Sequence, residues 1–222
     1  MSHNKLSKHD LKDDTFVTYM LKAWEYLREN QNKFFIGLVI LVVVAAAAVW
    51  MGNSRTRARE TAREQFSEAL ASFRTGQFKT AEEMFKIIEE RYGSLEEGAA
   101  APYFTGRCAL LQGRNSDAVK SFEKYLGKAS KQPFYRDAAM EGMAVAWEND
   151  RDYAKAADIY LELAASLKAN TFMETTYLKR AADLLKLSNQ NSRAVEVLEK
   201  LLEKTKGKER IEIEQELGAL KS

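Results

Sequence analysis

Chemistry at neutral pH needs nucleophiles, acid–base pairs or metal ligands, and this sequence offers few of them. Its two histidines, His3 and His9, sit close to the N-terminus, and its single cysteine is Cys108. A Ser/His or Cys/His pair therefore cannot form within a folded region that excludes the N-terminal tail. His3 and His9 have no metal-ligand companions beside them. The sequence contains no Gly-rich phosphate loop, CxxC pair, HExxH helix or GxSxG elbow. Carboxylates are plentiful, as at Glu82, Glu83, Glu89, Glu90, Glu96 and Glu97. They interleave with Lys and Arg as on solvated helix faces. Cys108 lies in the helical stretch TGRCALL (105–111) and reads as a packed, unreactive thiol. We therefore expect no enzyme, no cofactor, no metal and no small-molecule substrate. A net charge of +2 over 222 residues removes the electrostatic basis for binding nucleic acid. What remains for function is surface, and the elements that present it.

Two prolines in 222 residues leave little turn chemistry for a strand-rich fold, and the common residues are good helix formers. Residues 34–52, FFIGLVILVVVAAAAVWMG, carry no charge. As a helix these residues span roughly 28 Å, the thickness of a hydrocarbon core. In lipid every backbone amide must be bonded internally, so we expect a transmembrane helix over 34–52. Phe34, Phe35 and Trp50 fall at its ends, where aromatic rings favour the interface. A cleaved signal would end in small residues, and Val49-Trp50-Met51 is a poor cleavage site. Six Lys or Arg precede the run and Arg55, Arg57, Arg59 and Arg63 follow it. Near the span the two sides almost balance, so charge alone does not orient it.

Before the span, Phe16, Met20, Trp24 and Leu27 recur at helical spacing with Lys22, Glu25 and Arg28 between them. This predicts an amphipathic juxtamembrane helix over 14–33, lying in the interface or against a partner. Residues 1–13 read as a disordered tail. Arg55, Arg59 and Arg63 share one helical face and could meet lipid phosphates. Together with Trp24 and Trp50 they are the candidate membrane-surface residues.

The remaining chain, 53–222, is self-similar. Four segments align: GQFKTAEEMFKII from Gly76, GRNSDAVKSFEKYL from Gly113, DRDYAKAADIYLEL from Asp150 and NQNSRAVEVLEKLL from Asn189. Their alanines, Ala81, Ala118, Ala156 and Ala194, are spaced 37, 38 and 38 apart. Four residues beyond each stands Phe85, Phe122, Tyr160 or Leu198, and twelve before each stands Ala69, Gly106, Ala144 or Ala182. The pattern predicts helices near 55–75, 78–92, 97–112, 116–130, 134–149, 153–168, 172–188 and 191–205. A last helix near 208–220, with a stripe of Ile213, Leu217 and Leu220, would cap the open end.

These segments resemble the tetratricopeptide repeat. In that family the Ala marks the closest approach of two paired helices and the large residue one turn later fills the gap to the next pair. The family's Trp and Pro positions are absent here, and the period exceeds its usual 34. Together with the span, the resemblance gives an all-α chain: a single N-terminal transmembrane helix, then a tetratricopeptide-like α-solenoid of about four helix pairs with a C-terminal capping helix. It places the groove on the first helix of each pair, at Arg63, Phe66, Leu70, Phe73, Tyr103, Arg107, Glu141, Val145, Glu148, Lys179, Asp183 and Lys186. From these we take Phe66, Phe73, Tyr103, Arg107, Glu141, Val145, Glu148 and Lys179 as candidate partner-binding residues, with core packing the other reading of Phe66, Leu70 and Phe73. The Lys/Asn clamp that grips chaperone C-termini is not seen among them.

The whole layout also resembles the bacterial ancillary SecYEG translocon subunits. Shared features are the amphipathic stretch DTFVTYMLKAWEYLREN, one span, an Arg-bearing helix leaving it and an Ala-rich array. That resemblance implies a single-pass protein of the bacterial inner membrane, N-terminus cytoplasmic and repeat domain periplasmic. Its partners would be translocon subunits or exported clients, beside membrane lipid. Two other readings stay open: an accessory subunit of a larger membrane complex, and an N-anchored import receptor with a cytosolic array.

Overall fold

The computed structural model describes residues 8–128, 133–167 and 172–221, and among the described residues it contains helices and no strand. Among the described residues ten α-helices follow one another. They are α1 (Lys8–Glu29), α2 (Gln31–Arg74), α3 (Phe78–Tyr92), α4 (Glu96–Leu111), α5 (Asn115–Lys128), α6 (Arg136–Asn149), α7 (Tyr153–Ser166), α8 (Phe172–Leu187), α9 (Asn191–Lys204) and α10 (Lys208–Lys221). A 3-10 turn, Pro133–Tyr135, precedes α6. The chain divides into two units, Met1–Arg57 and Ala58–Ser222. His3 and the expected helix ends at 130 and 168 lie outside the described residues.

In the first unit α1 starts at Lys8, inside the stretch 1–13 expected to be disordered; residues 1–7 lie outside the described residues. No Gly or Pro interrupts the sequence from 8 to 29, so nothing in the backbone halts the helix there. Asn30 marks the break before α2, its backbone N–H and its side-chain Nδ2 both donating to the Tyr26 carbonyl at 3.1 Å. The Tyr26 and Phe34 rings meet edge to face at 6.4 Å across that break. Among the described residues α2 is the one helix long and apolar enough to cross a membrane, and its apolar window has no buried residue. The sequence reading gives a span over 34–52 and a helix near 55–75, and α2 runs through both without interruption to Arg74. One Gly in a helix interior costs only about 1 kcal/mol, too little to end a helix flanked by good formers. The Ser54 and Thr56 hydroxyls, which could have favoured a turn, instead donate back to the helix carbonyls of Met51 and Gly52 at 3.0 and 3.1 Å.

The second unit is built from antiparallel pairs. Residues 58–74 of α2 pack on α3, with Phe66 on Phe85 and Phe73 on Phe78; then α4 pairs with α5, α6 with α7, and α8 with α9. The pairs close through small side chains. Ala69, Ala81, Ala118, Ala144, Ala156, Ala182 and Ala194 are all completely buried. Phe85, Phe122, Tyr160 and Leu198 fill the space beyond them. Two cores result, one around Phe85, Phe104, Phe122 and Tyr125, the other around Tyr160, Leu185, Leu198 and Leu201. Ile213 and Leu217 of α10 complete the second core, which leaves no open apolar end there.

The turn inside each pair repeats as faithfully as the alanines. Gly76, Gly113, Arg151 and Asn189 all adopt positive φ, at 78°, 73°, 61° and 57°. Each donates its N–H three residues back, to Phe73, Leu110, Glu148 and Lys186. The next residue donates five back, to Ser72, Ala109, Trp147 and Leu185, at 2.9 Å every time. This double closure is the Schellman motif, which satisfies carbonyls that a helix end would leave without partners.

Candidate functional site

The first helix of each pair carries the candidate residues, and the structure sorts them by depth. Phe66 is half-buried, edge-on to Phe85 and Phe104 at 5.5 and 5.4 Å. Phe73 is also half-buried, packed on Phe78 at 5.6 Å. Tyr103 is buried and stacks on Tyr135 at 4.5 Å with the rings 7° from parallel. These three form an aromatic floor continuous with the first core. Arg107 lies on that floor, exposed, its guanidinium 5.2 Å from the Phe73 ring centre and 6.0 Å from that of Tyr103. Such stacking holds the cation in place without neutralising it.

The acids of α6 are engaged differently. Arg180 donates to both carboxylate oxygens of Glu148, through Nε at 3.2 Å and through Nη2. The Tyr160 hydroxyl also bonds Glu148. The Tyr177 hydroxyl donates to Glu141. Burial, with these acids as neighbours, pushes both tyrosines well above the ordinary phenol value, so they remain donors. Hydrogen bonding to Glu148 raises the Arg180 pKa further. Val145 stands exposed one turn from each acid. Lys179 reaches Glu209 of α10 at 3.7 Å, and Lys186 bridges Asp183 and Glu216, both at 2.8 Å. The structure thus joins Phe73, Tyr103 and Arg107 in one patch and Glu141, Val145 and Glu148 in another.

Of the membrane-surface candidates, Arg55, Arg59 and Arg63 are exposed, and Arg63 pairs with Glu97 at 3.2 Å. Trp24 and Trp50 are exposed in the first unit. Tyr177 and Arg180 did not stand out in the sequence. The repeat register selects Lys179, but one residue on is a rotation of about 100°, and that rotation is what brings Arg180 onto Glu148.

The remaining reactive group is quiet. Cys108 is buried, and burial, with Glu82 nearby, pushes its thiol up to about 12. A thiol held there carries no thiolate at neutral pH. Among the described residues no group of three or more His, Cys, Asp and Glu could hold a metal ion.

Residues 66–133 match a family model described as tetratricopeptide repeat. No curated protein matches the chain. Among solved structures, the nearly identical TPR-like repeats of a Podosopora anserina putative kinesin light chain are similar, with 19% identity and a TM-score of 0.52. That likeness covers 71% of this chain and 84% of the other. BtubC (BKLC) from P. vanneervenii is similar at 16% identity and a TM-score of 0.50, over 71% of this chain and 70% of its own. At such identities the likeness establishes the fold. The second unit is a tetratricopeptide-like solenoid, a fold that typically serves as a scaffold for protein–protein interaction rather than as an enzyme.

Proposed function

We propose that this chain is a membrane-anchored scaffold whose repeat unit holds protein partners on the first-helix face, in the service of exported proteins and the translocon that delivers them. The observation that carries the anchor is the run 34–52, a helix with apolar residues on every side and none of them buried. An apolar helix in the core of a soluble protein is covered by its neighbours; here lipid supplies the cover. Trp50 and Phe34 then lie at the two interfaces, and Arg55, Arg59 and Arg63 follow on one side. The array occupies the periplasm and the N-terminus the cytoplasm, in keeping with the translocon-subunit layout.

For partner binding, the exposed Arg107 on its aromatic floor is the anchor, ready for a carboxylate beside an apolar side chain. Glu141 and Glu148 are already engaged by Tyr177, Arg180 and Tyr160. That argues against an import receptor reading basic presequences with these acids. An accessory-subunit reading is favoured by one observation: Phe16, Met20 and Trp24 of α1 are all exposed, a stripe fit for a fixed membrane partner.

Mild-detergent purification of the full chain, followed by mass spectrometry, tests the proposal. Recovery of translocon subunits supports it, and their consistent absence counts against it. A photocrosslinker at Val145 separates the alternatives: many client adducts mean a chaperone-like scaffold, one fixed adduct an accessory subunit. Arg107→Ala is expected to lower partner recovery severalfold while leaving the melting temperature unchanged.

A further inference from the structure

We propose that the first-helix face of the repeat unit takes a protein segment of fixed charge order: an Asp or Glu over Arg107, an apolar side chain over Val145 and one Lys or Arg over Glu141. The inference rests on the scaffold reading above and names the chemistry of what that face holds.

Most charges on this face are compensated within the chain. Arg63 pairs with Glu97, Glu148 with Arg180, Lys179 with Glu209, and Asp183 with Lys186, which also reaches Glu216. Arg107 and Glu141 differ. Arg107 lies over the Phe73 and Tyr103 rings and has no carboxylate in ion-pair reach among the described residues. Ring faces attract a cation but carry no net charge. Glu141 accepts from the Tyr177 hydroxyl and has no cation in reach among the described residues. A neutral phenol uses part of a carboxylate's acceptor capacity and leaves its charge. The face therefore keeps one positive and one negative centre that its own chain does not neutralise.

Packing holds the two centres near each other. Gly106 and Gly142, their neighbours in sequence, both lie against the Phe122 ring, which brings α4 and α6 together. Arg107 and Val145 are 38 residues apart, the interval of the repeat, so they occupy matching positions on α4 and α6. Glu141 stands one turn before Val145. Val145 is exposed, as is Leu111 one turn beyond Arg107, so the two charges border apolar surface. Arg107 leans towards α2 over Phe73, and Glu141 towards Tyr177 of α8. Packed helices lie about 8–10 Å apart, so on a helical partner the matching acid and base stand roughly two to three turns apart.

Charge complementarity sets the order. A uniformly basic segment gains at Glu141 and is repelled at Arg107, and a uniformly acidic one does the reverse. A segment with its acid at α4 and its base at α6 is attracted at both. Glu148 is already neutralised by Arg180, so the α6 end takes one base and not several.

The test places p-benzoylphenylalanine at Val145 of the full chain, in membranes of the cells that make it, and maps the partner segments attached on irradiation. We expect each segment to carry an Asp or Glu and a Lys or Arg on opposite sides of the attached residue. A synthetic peptide copying one such segment is then titrated against the full chain in nanodiscs. Arg107→Glu should weaken binding severalfold, and replacing the peptide's acid by Lys should restore it. Glu141→Lys should do the same, with restoration when the peptide's base becomes Glu. Glu141→Gln, which keeps an acceptor for Tyr177, serves where Glu141→Lys lowers the melting temperature; it should weaken the original peptide and not one whose base is replaced by Gln. Attached segments without both charges overturn the inference and leave the scaffold reading standing. So does affinity indifferent to the reversals, or lost without restoration. Absence of any attached segment overturns both.

Discussion

Gly142 of α6 faces the ring of Phe122 so closely that a Cβ added at Gly142 would lie 2.5 Å from the ring's Cζ. From the other side, a Cβ at Gly106 of α4 would lie 2.8 Å from two carbons of the same ring. Phe122 is fully buried and cannot retreat. Within a helix, Gly→Ala ordinarily stabilises by about 0.5–1 kcal/mol. Here the sign should reverse: Gly142→Ala and Gly106→Ala are each expected to cost about 1–3 kcal/mol through overpacking. Gly127→Ala and Gly218→Ala meet open space and should be neutral or stabilising. Thermal melts of the four variants check this, and partial rescue of Gly142→Ala by Phe122→Leu would locate the strain at the ring.

Arg151 holds the left-handed turn position that Gly76 and Gly113 hold in the first two pairs. A side chain with a Cβ is strained there, and Arg has no local hydrogen bond to compensate as Asn189 can. Arg151→Gly is expected to stabilise by about 0.5–1 kcal/mol, and Gly113→Ala to destabilise by a similar amount. A denaturant midpoint that falls for Arg151→Gly would mean its side chain contributes something the turn geometry does not show.

Glu82 ties α3 to the turn between α4 and α5. It is buried, accepts from Lys86 at 2.7 Å and Gln112 at 3.1 Å, and pairs with Arg114. Burial raises its pKa, but the hydrogen bonds from Lys86, Arg114 and Gln112 outweigh that and hold it below the ordinary 4.5. A carboxyl depressed in the fold adds stability that is complete above the unfolded value and is lost as pH falls through the folded one. Glu82→Gln should therefore lower stability at pH 7 by about 1–3 kcal/mol. The gap to the wild type should close below about pH 4.5. Melts from pH 7 to 3 check this; a gap that stays constant would show that the charge plays no part.

The solenoid was legible because a helix crossing tolerates only small side chains. Ala81, Ala118, Ala156 and Ala194 therefore declare themselves at a fixed interval, and the structure buries every one of them. The turns were legible only where Gly stands; Arg151 and Asn189 adopt the same conformation with residues that do not advertise it. The surface was read least well. An aromatic on a first helix looks alike in sequence whether it faces a partner or the core. Phe66, for which core packing was the other reading, and Tyr103 lie in the floor under Arg107. Arg180 was missed because its partner Glu148 lies 32 residues away, a proximity set by packing rather than by local spacing.

Alkaline carbonate extraction of membranes from cells making the full chain tests the central claim most directly. An anchored scaffold remains in the membrane pellet, and a variant with Ile40→Arg and Val43→Arg, which interrupts the apolar run, moves to the soluble fraction with its helical repeats intact. Release of the unaltered chain into the supernatant would contradict the account, because residues 34–52 would then be covered by protein and not by lipid.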